Sequence, residues 1–123
     1  MKFLGTGSAL PKKVVSNDDL AQVMDTSDEW IRSRTGIGMR HIAVEETTTS
    51  MAVEAAEEAL ADAKISGCEI DLIIAGTISP DYIFPSLACE VQAAIGAKSA
   101  TAFDLSAGCS GFLFALSTAQ AYI

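Results

Sequence analysis

Two short apolar runs, each preceded by a helix-like pattern, constrain the fold of this 123-residue chain more than any other feature. The first run covers residues 70–75, and the second covers residues 101–106. Nearly continuous apolar runs of this length are typical of strands that are buried on both faces of a sheet. Because strands alternate with helices along the chain, the pattern predicts the α/β class, with a mainly parallel sheet flanked by layers of helices.

The helix patterns beside these runs are amphipathic and rich in small residues. Over residues 50–64, alanine and leucine side chains form one face and acidic side chains form another. The small face favours close packing of this helix against the sheet, and Gly67 is expected to end the unit. In the next connection Pro85 suits the first turn of a helix, which we expect to end at Gly96.

Shorter elements are predicted before residue 47. In chain order we expect a strand over residues 2–9, a helix over residues 16–24, a second helix, and a strand over residues 37–44. The second helix begins with a capping box, in which Thr26 is the N-cap and Glu29 follows three residues later. Gly36 is expected to end that helix.

Composition excludes several classes of protein. Half of the residues are hydrophobic and a fifth are charged, which is ordinary for a globular protein. No apolar run approaches the ~20 residues of a membrane span, and the apolar part of the N-terminus is too short for a secretory signal. Cys68, Cys89 and Cys109 form no C-x-x-C pair, which argues against a disulfide framework and a zinc site. We therefore expect a cytoplasmic protein with no membrane partner and no metal.

The charged residues are unevenly distributed. Residues 1–40 contain six basic and five acidic side chains, whereas residues 41–123 contain two basic and eleven acidic side chains. An anionic ligand would therefore bind most favourably to the first forty residues. The acidic remainder argues against nucleic acid as a partner.

Cys109 is the strongest candidate for chemistry. It lies between the second apolar run and a helix-like run, in a turn that also contains Gly108, Ser110 and Gly111. Such small residues permit a sharp turn and leave room for a substrate to approach the sulfur. A cysteine at a helix N-terminus is also near free backbone N–H groups and the positive end of the helix dipole, which favour thiolate over thiol. The pattern favours a nucleophile for acyl transfer over a packing cysteine, without excluding the latter.

Other candidate residues have simpler structural interpretations. His41 lies on a predicted strand and is interpreted as a structural histidine. Cys89 falls within an apolar helix and is interpreted as a packing residue, while Cys68 is assigned no role. From the pattern alone, Trp30 is expected to pack on the core beside solvated arginines, although an exposed indole could also stack on a nucleobase.

The chain offers no plausible histidine base to act with Cys109. Its last predicted helix also runs to Ile123 without a glycine, asparagine or proline that would end it. We therefore expect the sequence to stop partway through a larger protein. An isolated chain of this kind is expected to expose apolar surface and to aggregate.

Six segments together resemble one family of condensing enzymes, in the same order along the chain. The segments are Gly5–Pro11, Thr26–Ile31, Arg34–Ile37, Arg40–Ala43, Phe84–Gln92 and Gly108–Phe112. The chain resembles β-ketoacyl-[acyl-carrier-protein] synthase III, which initiates bacterial type II fatty acid synthesis. The resemblance implies a thiolase-like fold of two similar α/β halves, with residues 1–123 forming most of the first half.

The resemblance also implies an activity and a set of site residues. Cys109 would take an acyl group from a short acyl-coenzyme A, and malonyl-acyl-carrier protein would then decarboxylate and attack the thioester. Trp30 and Arg34 match positions that sandwich the adenine of coenzyme A, and Thr26 matches another position near that end of the ligand. Phe84 matches a residue that shapes the acyl pocket of the partner subunit in a homodimer. The resemblance implies no cofactor besides the coenzyme A thioester, which is a substrate.

Two alternatives remain open at this point. The parent protein could be a thiolase-superfamily acyltransferase of specialised metabolism, with a different acyl donor or acceptor. The chain could also be a non-catalytic fragment or interaction module, because the catalytic histidine and asparagine that the family places in its second half are not in this sequence. His41 does not match that histidine.

Overall fold

The computed structural model describes residues 2–123, which form two compact units. One unit combines residues 2–9 with Thr47–Ile123, and the other is Leu10–Glu46, which is inserted in sequence between the two parts of the first. The helices and strands, in chain order, are β1 (Lys13–Ser16), α1 (Asn17–Ala21), α2 (Asp28–Thr35), β2 (Met39–Ile42), α3 (Thr48–Ala63), β3 (Leu72–Gly76), α4 (Leu87–Ala94), β4 (Thr101–Leu105) and α5 (Gly111–Tyr122).

The larger unit is built around a parallel pair of strands. Strands β3 and β4 pair in parallel, from Leu72 opposite Thr101 to Gly76 opposite Leu105. Helix α4 connects them and contacts both strands. The buried hydrophobic residues are concentrated on α4 and the turn that follows it, and they are Leu87, Ala88, Val91, Ala97 and Ala100. The predicted parallel strands and the crossover helix between them are confirmed.

Residues 2–9 do not form the predicted strand. The N–H of Thr6 donates to Asp62 at 2.9 Å, and the N–H of Ser8 donates to Glu58 at 2.6 Å. Both carboxylates belong to α3, so helix side chains accept hydrogen bonds that a neighbouring strand would otherwise accept. The strand prediction was wrong because an extended segment was assigned to a sheet without knowing its partner.

Two glycines permit this segment to lie directly on α3. A Cβ atom on Gly7 would lie 2.0 Å from the carbonyl oxygen of Ala55, which is far inside van der Waals contact. A Cβ atom on Gly5 would lie 2.5 Å from the carbonyl oxygen of Ala59. The small face of α3 is therefore closely packed, but against an extended segment, and the element that α3 contacts most is helix α4 rather than the predicted sheet.

The smaller unit contains an antiparallel strand pair and two short helices. Strand β1 pairs with β2 from Lys13 opposite Ile42 to Ser16 opposite Met39. Helix α1 ends at Ala21, three residues earlier than predicted, and β2 is shorter than the predicted strand over residues 37–44.

Helix α2 begins one residue later than the capping box predicted. The side chain of Ser27, not Thr26, accepts the hydrogen bond from the N–H of Trp30, at 3.1 Å. Two adjacent hydroxyl residues are both capable caps, and the helix uses the second one. Gly36 ends the helix in the left-handed region, with φ of 73°, as expected.

Gly67 and Pro85, which were expected to mark the ends of helices, have other positions in the structure. Helix α3 ends in a left-handed Lys64, whereas Gly67 is buried and a Cβ there would lie 1.8 Å from the carbonyl oxygen of Ile95. Helix α4 begins at Leu87, so Pro85 lies outside it rather than in its first turn. Gly67 is therefore required for a close backbone approach rather than for ending a helix.

Within residues 2–123, no helix combines the length and the apolarity that crossing a membrane would require.

Candidate active site

Cys109 lies where the chain leaves the end of β4. Ser106 and Ala107 follow the strand, and residues Gly108–Ser110 form a single 3-10 turn before α5. Gly108 has a left-handed φ of 51°, which a glycine adopts without strain. Cys109 is exposed and is not part of a disulfide. The structure thus presents the sulfur on a small-residue turn. Cys109 lies within this 3-10 turn, and the α-helix begins two residues later, at Gly111.

The first turn of α5 adjoins Cys109 with its backbone donors uncapped. Ser110 is the N-cap, and its side chain makes no capping hydrogen bond. Helix N-termini have a partial positive charge from such N–H groups. The positive end of α5 therefore lies two residues from the sulfur, as the nucleophile hypothesis requires.

A glycine-to-glycine contact fixes this turn against the sheet. A Cβ atom on Gly76, the last residue of β3, would lie 3.1 Å from the carbonyl carbon of Gly111. Gly111 is itself buried at the start of α5. The two backbones therefore meet without side chains between them, and this close approach sets the position of the turn that holds Cys109.

Phe84 lies in the loop that follows β3, and its side chain is 88% exposed. The loop begins beside the end of β4, where the N–H of Thr77 donates to the carbonyl of Leu105 at 3.2 Å. Because β3 and β4 are parallel neighbours, the loop with Phe84 and the turn with Cys109 leave the same edge of the sheet. This is the edge at which parallel sheets place their ligand sites.

A carboxylate on β4 attaches the end of this loop to the sheet. Asp104 accepts the N–H groups of Leu87 at 2.9 Å and Ala88 at 2.8 Å. These are the first two residues of α4, where backbone donors have no partner within the helix. Asp104 therefore links the strand that leads to Cys109 with the start of α4.

In the smaller unit, α2 brings Trp30 and Arg34 together. The guanidinium carbon of Arg34 lies 4.4 Å from the centroid of the Trp30 ring, in a cation–π arrangement. Trp30 is 52% exposed, so the initial expectation that it packs on the core was wrong. Thr26 is half-buried just before the helix, two residues from its first residue Asp28. The helix thus presents an exposed aromatic face with a cation stacked on it.

Asn17 holds α2 against the strand pair, and the sequence analysis did not identify it. It is 1% exposed. Its side-chain amide donates to Asp28 and to the carbonyl of Ile37, both at 2.8 Å, and its oxygen accepts from Arg40. Every polar atom of this buried side chain is therefore bonded. The hydrogen bond from Asn17 is the main reason that the pKa of Asp28 is lowered from its usual value, and the bond from Arg32 contributes further.

Interpretations of the remaining candidates are consistent with the structure. His41 lies on β2, and its Nδ1 atom bonds to the carbonyl of Pro11, which supports a structural role. Cys89 is half-buried on α4, in agreement with the packing interpretation, and Cys68 is exposed in a 3-10 turn. Within residues 2–123, no group of three or more histidine, cysteine or acidic side chains is placed to hold a metal ion.

The structure brings Cys109 and Phe84 to one sheet edge in the larger unit, and in the smaller unit it places Trp30 and Arg34 on one helix, with Thr26 just before it. Sequence reasoning missed Asn17 and Asp104. A signal for Asp104 was available, because it is the one charged residue in the apolar run 101–106. Asn17 gave no such signal, since Ser16 and two aspartates beside it form an ordinary helix-capping cluster.

Comparison with known proteins identifies relatives over nearly the whole chain. No protein-family model matches the sequence. The chain is 55% identical to β-ketoacyl-[acyl-carrier-protein] synthase III of Xylella fastidiosa over 123 residues, which is 99% of this chain and 38% of that protein. It is 58% identical to β-ketoacyl-[acyl-carrier-protein] synthase III 1 of Bacillus anthracis over 122 residues, which is 98% of this chain and 39% of that protein. The chain therefore spans about two fifths of the length of the curated relatives it matches.

Solved structures match the backbone equally well. The crystal structure of 3-oxoacyl-[acyl-carrier-protein] synthase III from Aquifex aeolicus matches with a TM-score of 0.95 and 55% identity, over 98% of this chain and 39% of that one. The priming β-ketosynthase of the R1128 polyketide pathway matches with a TM-score of 0.92 and 41% identity, over 96% of this chain and 36% of that one. The thiolase-like fold class is confirmed for the part that the chain covers. In both sequence and fold, this chain is similar to the N-terminal part of these β-ketoacyl-[acyl-carrier-protein] synthase III proteins.

Proposed function

We propose that the protein containing this chain is an acyltransferase of type II fatty acid synthesis, and that Cys109 is its nucleophile. The thiolate of Cys109 attacks the carbonyl of a short acyl-coenzyme A thioester, and the coenzyme A thiolate leaves. Malonyl-acyl-carrier protein then loses carbon dioxide, and its carbanion attacks the acyl group and expels the Cys109 thiolate. The exposed thiol on a small-residue turn, in a chain aligned throughout with these enzymes, supports this proposal.

The coenzyme A thioester is proposed to bind partly through the smaller unit. The exposed ring of Trp30 provides a stacking surface for one face of the adenine. Arg34 provides a cation that stacks on the other face of the adenine or pairs with a phosphate. Because Arg34 now covers one face of the ring, adenine must displace it or stack on the opposite face. Thr26 precedes the same helix and would contact the same end of the ligand.

The complete reaction is proposed to need groups beyond the matched region. The relatives are more than twice as long as this chain, and the resemblance implies that the histidine and asparagine that activate malonate lie in their second half. We also propose a cytoplasmic homodimer that binds acyl-carrier protein and requires no cofactor. In that dimer Phe84, which is almost fully exposed here, would shape the acyl pocket of the partner subunit.

Acylation of Cys109 is the direct test. The protein translated from the complete reading frame that contains this sequence is incubated with acetyl-coenzyme A, digested and analysed by mass spectrometry. We expect the peptide containing Cys109 to gain one acetyl group, while the peptides with Cys68 and Cys89 remain unmodified. A folded protein whose Cys109 peptide stays unmodified would contradict the proposal.

A second candidate is an acyltransferase of specialised metabolism. The similarity to the priming β-ketosynthase of a polyketide pathway favours keeping it. Both candidates predict acylation of the cysteine, so the acceptor separates them. Condensation with malonyl-acyl-carrier protein from fatty acid synthesis supports the first, whereas turnover that requires a different carrier protein or nucleophile supports the second.

A further inference from the structure

The loop between β3 and α4 holds three apolar side chains in solvent. Tyr82, Ile83 and Phe84 are 60%, 98% and 88% exposed. The loop leaves the same sheet edge as the turn with Cys109, as the bond between Thr77 and Leu105 shows. We name residues 82–84 the apolar tip. Phe84 of this tip is proposed to shape the acyl pocket of the partner subunit, and an acyl group is itself apolar, so the position of the apolar tip bears on which acyl chains fit.

Asp81, immediately before the apolar tip, anchors the loop to the start of α3. Its two carboxylate oxygens accept the N–H groups of Thr48 at 3.1 Å and Thr49 at 2.7 Å. These donors are at the positive end of a sixteen-residue helix, where a negative charge is stabilised. Hydrogen bonding, first of all from the backbone N–H of Thr49, lowers the pKa of Asp81 to about 2. The carboxylate therefore remains charged, and the anchor intact, throughout the neutral range.

Two further hydrogen bonds join the start of α3 to residues before and after the apolar tip. The hydroxyl of Thr48 donates to the carbonyl of Ser79 at 3.2 Å, and the hydroxyl of Thr49 donates to Glu90 of α4 at 2.7 Å. Asp104 holds the start of α4 beyond the apolar tip. The three exposed apolar residues thus lie between two carboxylate anchors, and Asp81 is the one adjacent to them.

We propose that Asp81 is a positioning residue for acyl-chain selectivity, which fixes the apolar tip and with it the Phe84 side chain that is proposed to shape the acyl pocket of the partner subunit. This inference rests on the proposed acyl transfer at Cys109. Asp81 itself need not touch the substrate, because its effect acts through the placement of residues 82–84. Loss of the anchor should therefore change the preference among acyl chains rather than lower all rates equally.

The test compares selectivity between a short and a longer acyl chain in the complete protein. For the wild type and Asp81→Ala, kcat/KM is measured with acetyl-coenzyme A and with hexanoyl-coenzyme A. We expect the ratio of the two values to change by about tenfold in Asp81→Ala, since misplaced apolar contacts alter discrimination between chains that differ by a few methylenes. Asp81→Ser keeps a hydroxyl acceptor for a helix N–H and should restore most of the wild-type ratio. Glu57→Gln, which also removes an exposed carboxylate from this unit, should leave the ratio unchanged.

The possible results distinguish failure of the positioning role from failure of the proposed acyl transfer. If Asp81→Ala does not fold, Asp81→Leu takes its place, because it keeps the approximate shape of the side chain and has no acceptor for the helix N–H groups. A folded Asp81→Ala or Asp81→Leu protein whose ratio stays within about twofold of wild type overturns the positioning role. A wild-type protein whose Cys109 accepts no acyl group overturns the proposed function and, with it, this inference.

Discussion

Replacing Cys109 with alanine should abolish condensing turnover while leaving the protein folded. Without a thiolate there is no covalent acyl-enzyme, so the two-step route is lost. Removal of a nucleophile in enzymes of this kind lowers kcat by about 10⁴-fold or more. The rate of β-ketoacyl product formation, measured in the complete protein with acetyl-coenzyme A and malonyl-acyl-carrier protein, checks this expectation. Because Cys109 is exposed, its replacement should change the free energy of unfolding by no more than about 0.5 kcal/mol.

Cys89→Ala is the matched control for that experiment. Cys89 is half-buried on α4, so its replacement should lower stability slightly and leave the rate of product formation close to wild type. Cys109→Ser adds a stricter comparison, since it changes one atom and retains a weak nucleophile. A Cys109→Ala protein that still turns over within about tenfold of wild type would exclude this residue as the nucleophile.

The second large effect is expected at Asn17. Replacing Asn17 with leucine removes three hydrogen bonds at once, those with Asp28, with the carbonyl of Ile37 and with Arg40. A buried polar group left without its partner costs about 1–3 kcal/mol, and here a carbonyl and two charged side chains lose one. We expect local opening of the smaller unit to become easier by about 3 kcal/mol, which corresponds to roughly a hundredfold faster amide exchange in β1 and β2.

Hydrogen exchange followed by mass spectrometry measures this change without requiring two-state unfolding of the whole protein. Asp18→Ala serves as the control, because Asp18 is the next residue along α1 but is exposed. Exchange in peptides from residues 13–42 should accelerate in Asn17→Leu and not in Asp18→Ala. Equal exchange in both variants would show that Asn17 does not hold this unit together. Because α2 presents Trp30 and Arg34, weaker binding of acyl-coenzyme A should accompany the faster exchange.

Features determined by local pattern were predictable from the sequence. The apolar runs predict strands β3 and β4 with a helix between them. The small residues around Cys109 predict the turn that holds it. These signals are contained within a few residues, so no knowledge of distant partners was needed. The fold class and the turn that holds Cys109 could therefore be inferred before any comparison with relatives.

Features that depend on distant partners were not predictable in this way. Residues 2–9 have the composition of a strand, but they lie against α3, whose carboxylates are fifty or more residues away. Asn17 resembles part of a capping cluster, although its side chain joins Asp28 of α2 with Arg40 of β2. The roles of Asp81 and Asp104 likewise require knowing which helix N-terminus each carboxylate reaches. In all these cases the local sequence permits several partners, and the tertiary structure selects one.

Leu10–Glu46 lies in sequence between residues 2–9 and α3, so its length determines how much chain separates two segments that are in contact. Docking residues 2–9 on α3 closes a ring in the chain, through contacts between Thr6 and Asp62 and between Ser8 and Glu58. The entropic cost of closing a flexible ring grows only with the logarithm of its length, so doubling the length adds about 0.6 kcal/mol. Flexible residues could therefore be added within Leu10–Glu46 at little thermodynamic cost to the attachment of the N-terminal segment, provided that Gly5 and Gly7 still allow that segment to lie against the helix.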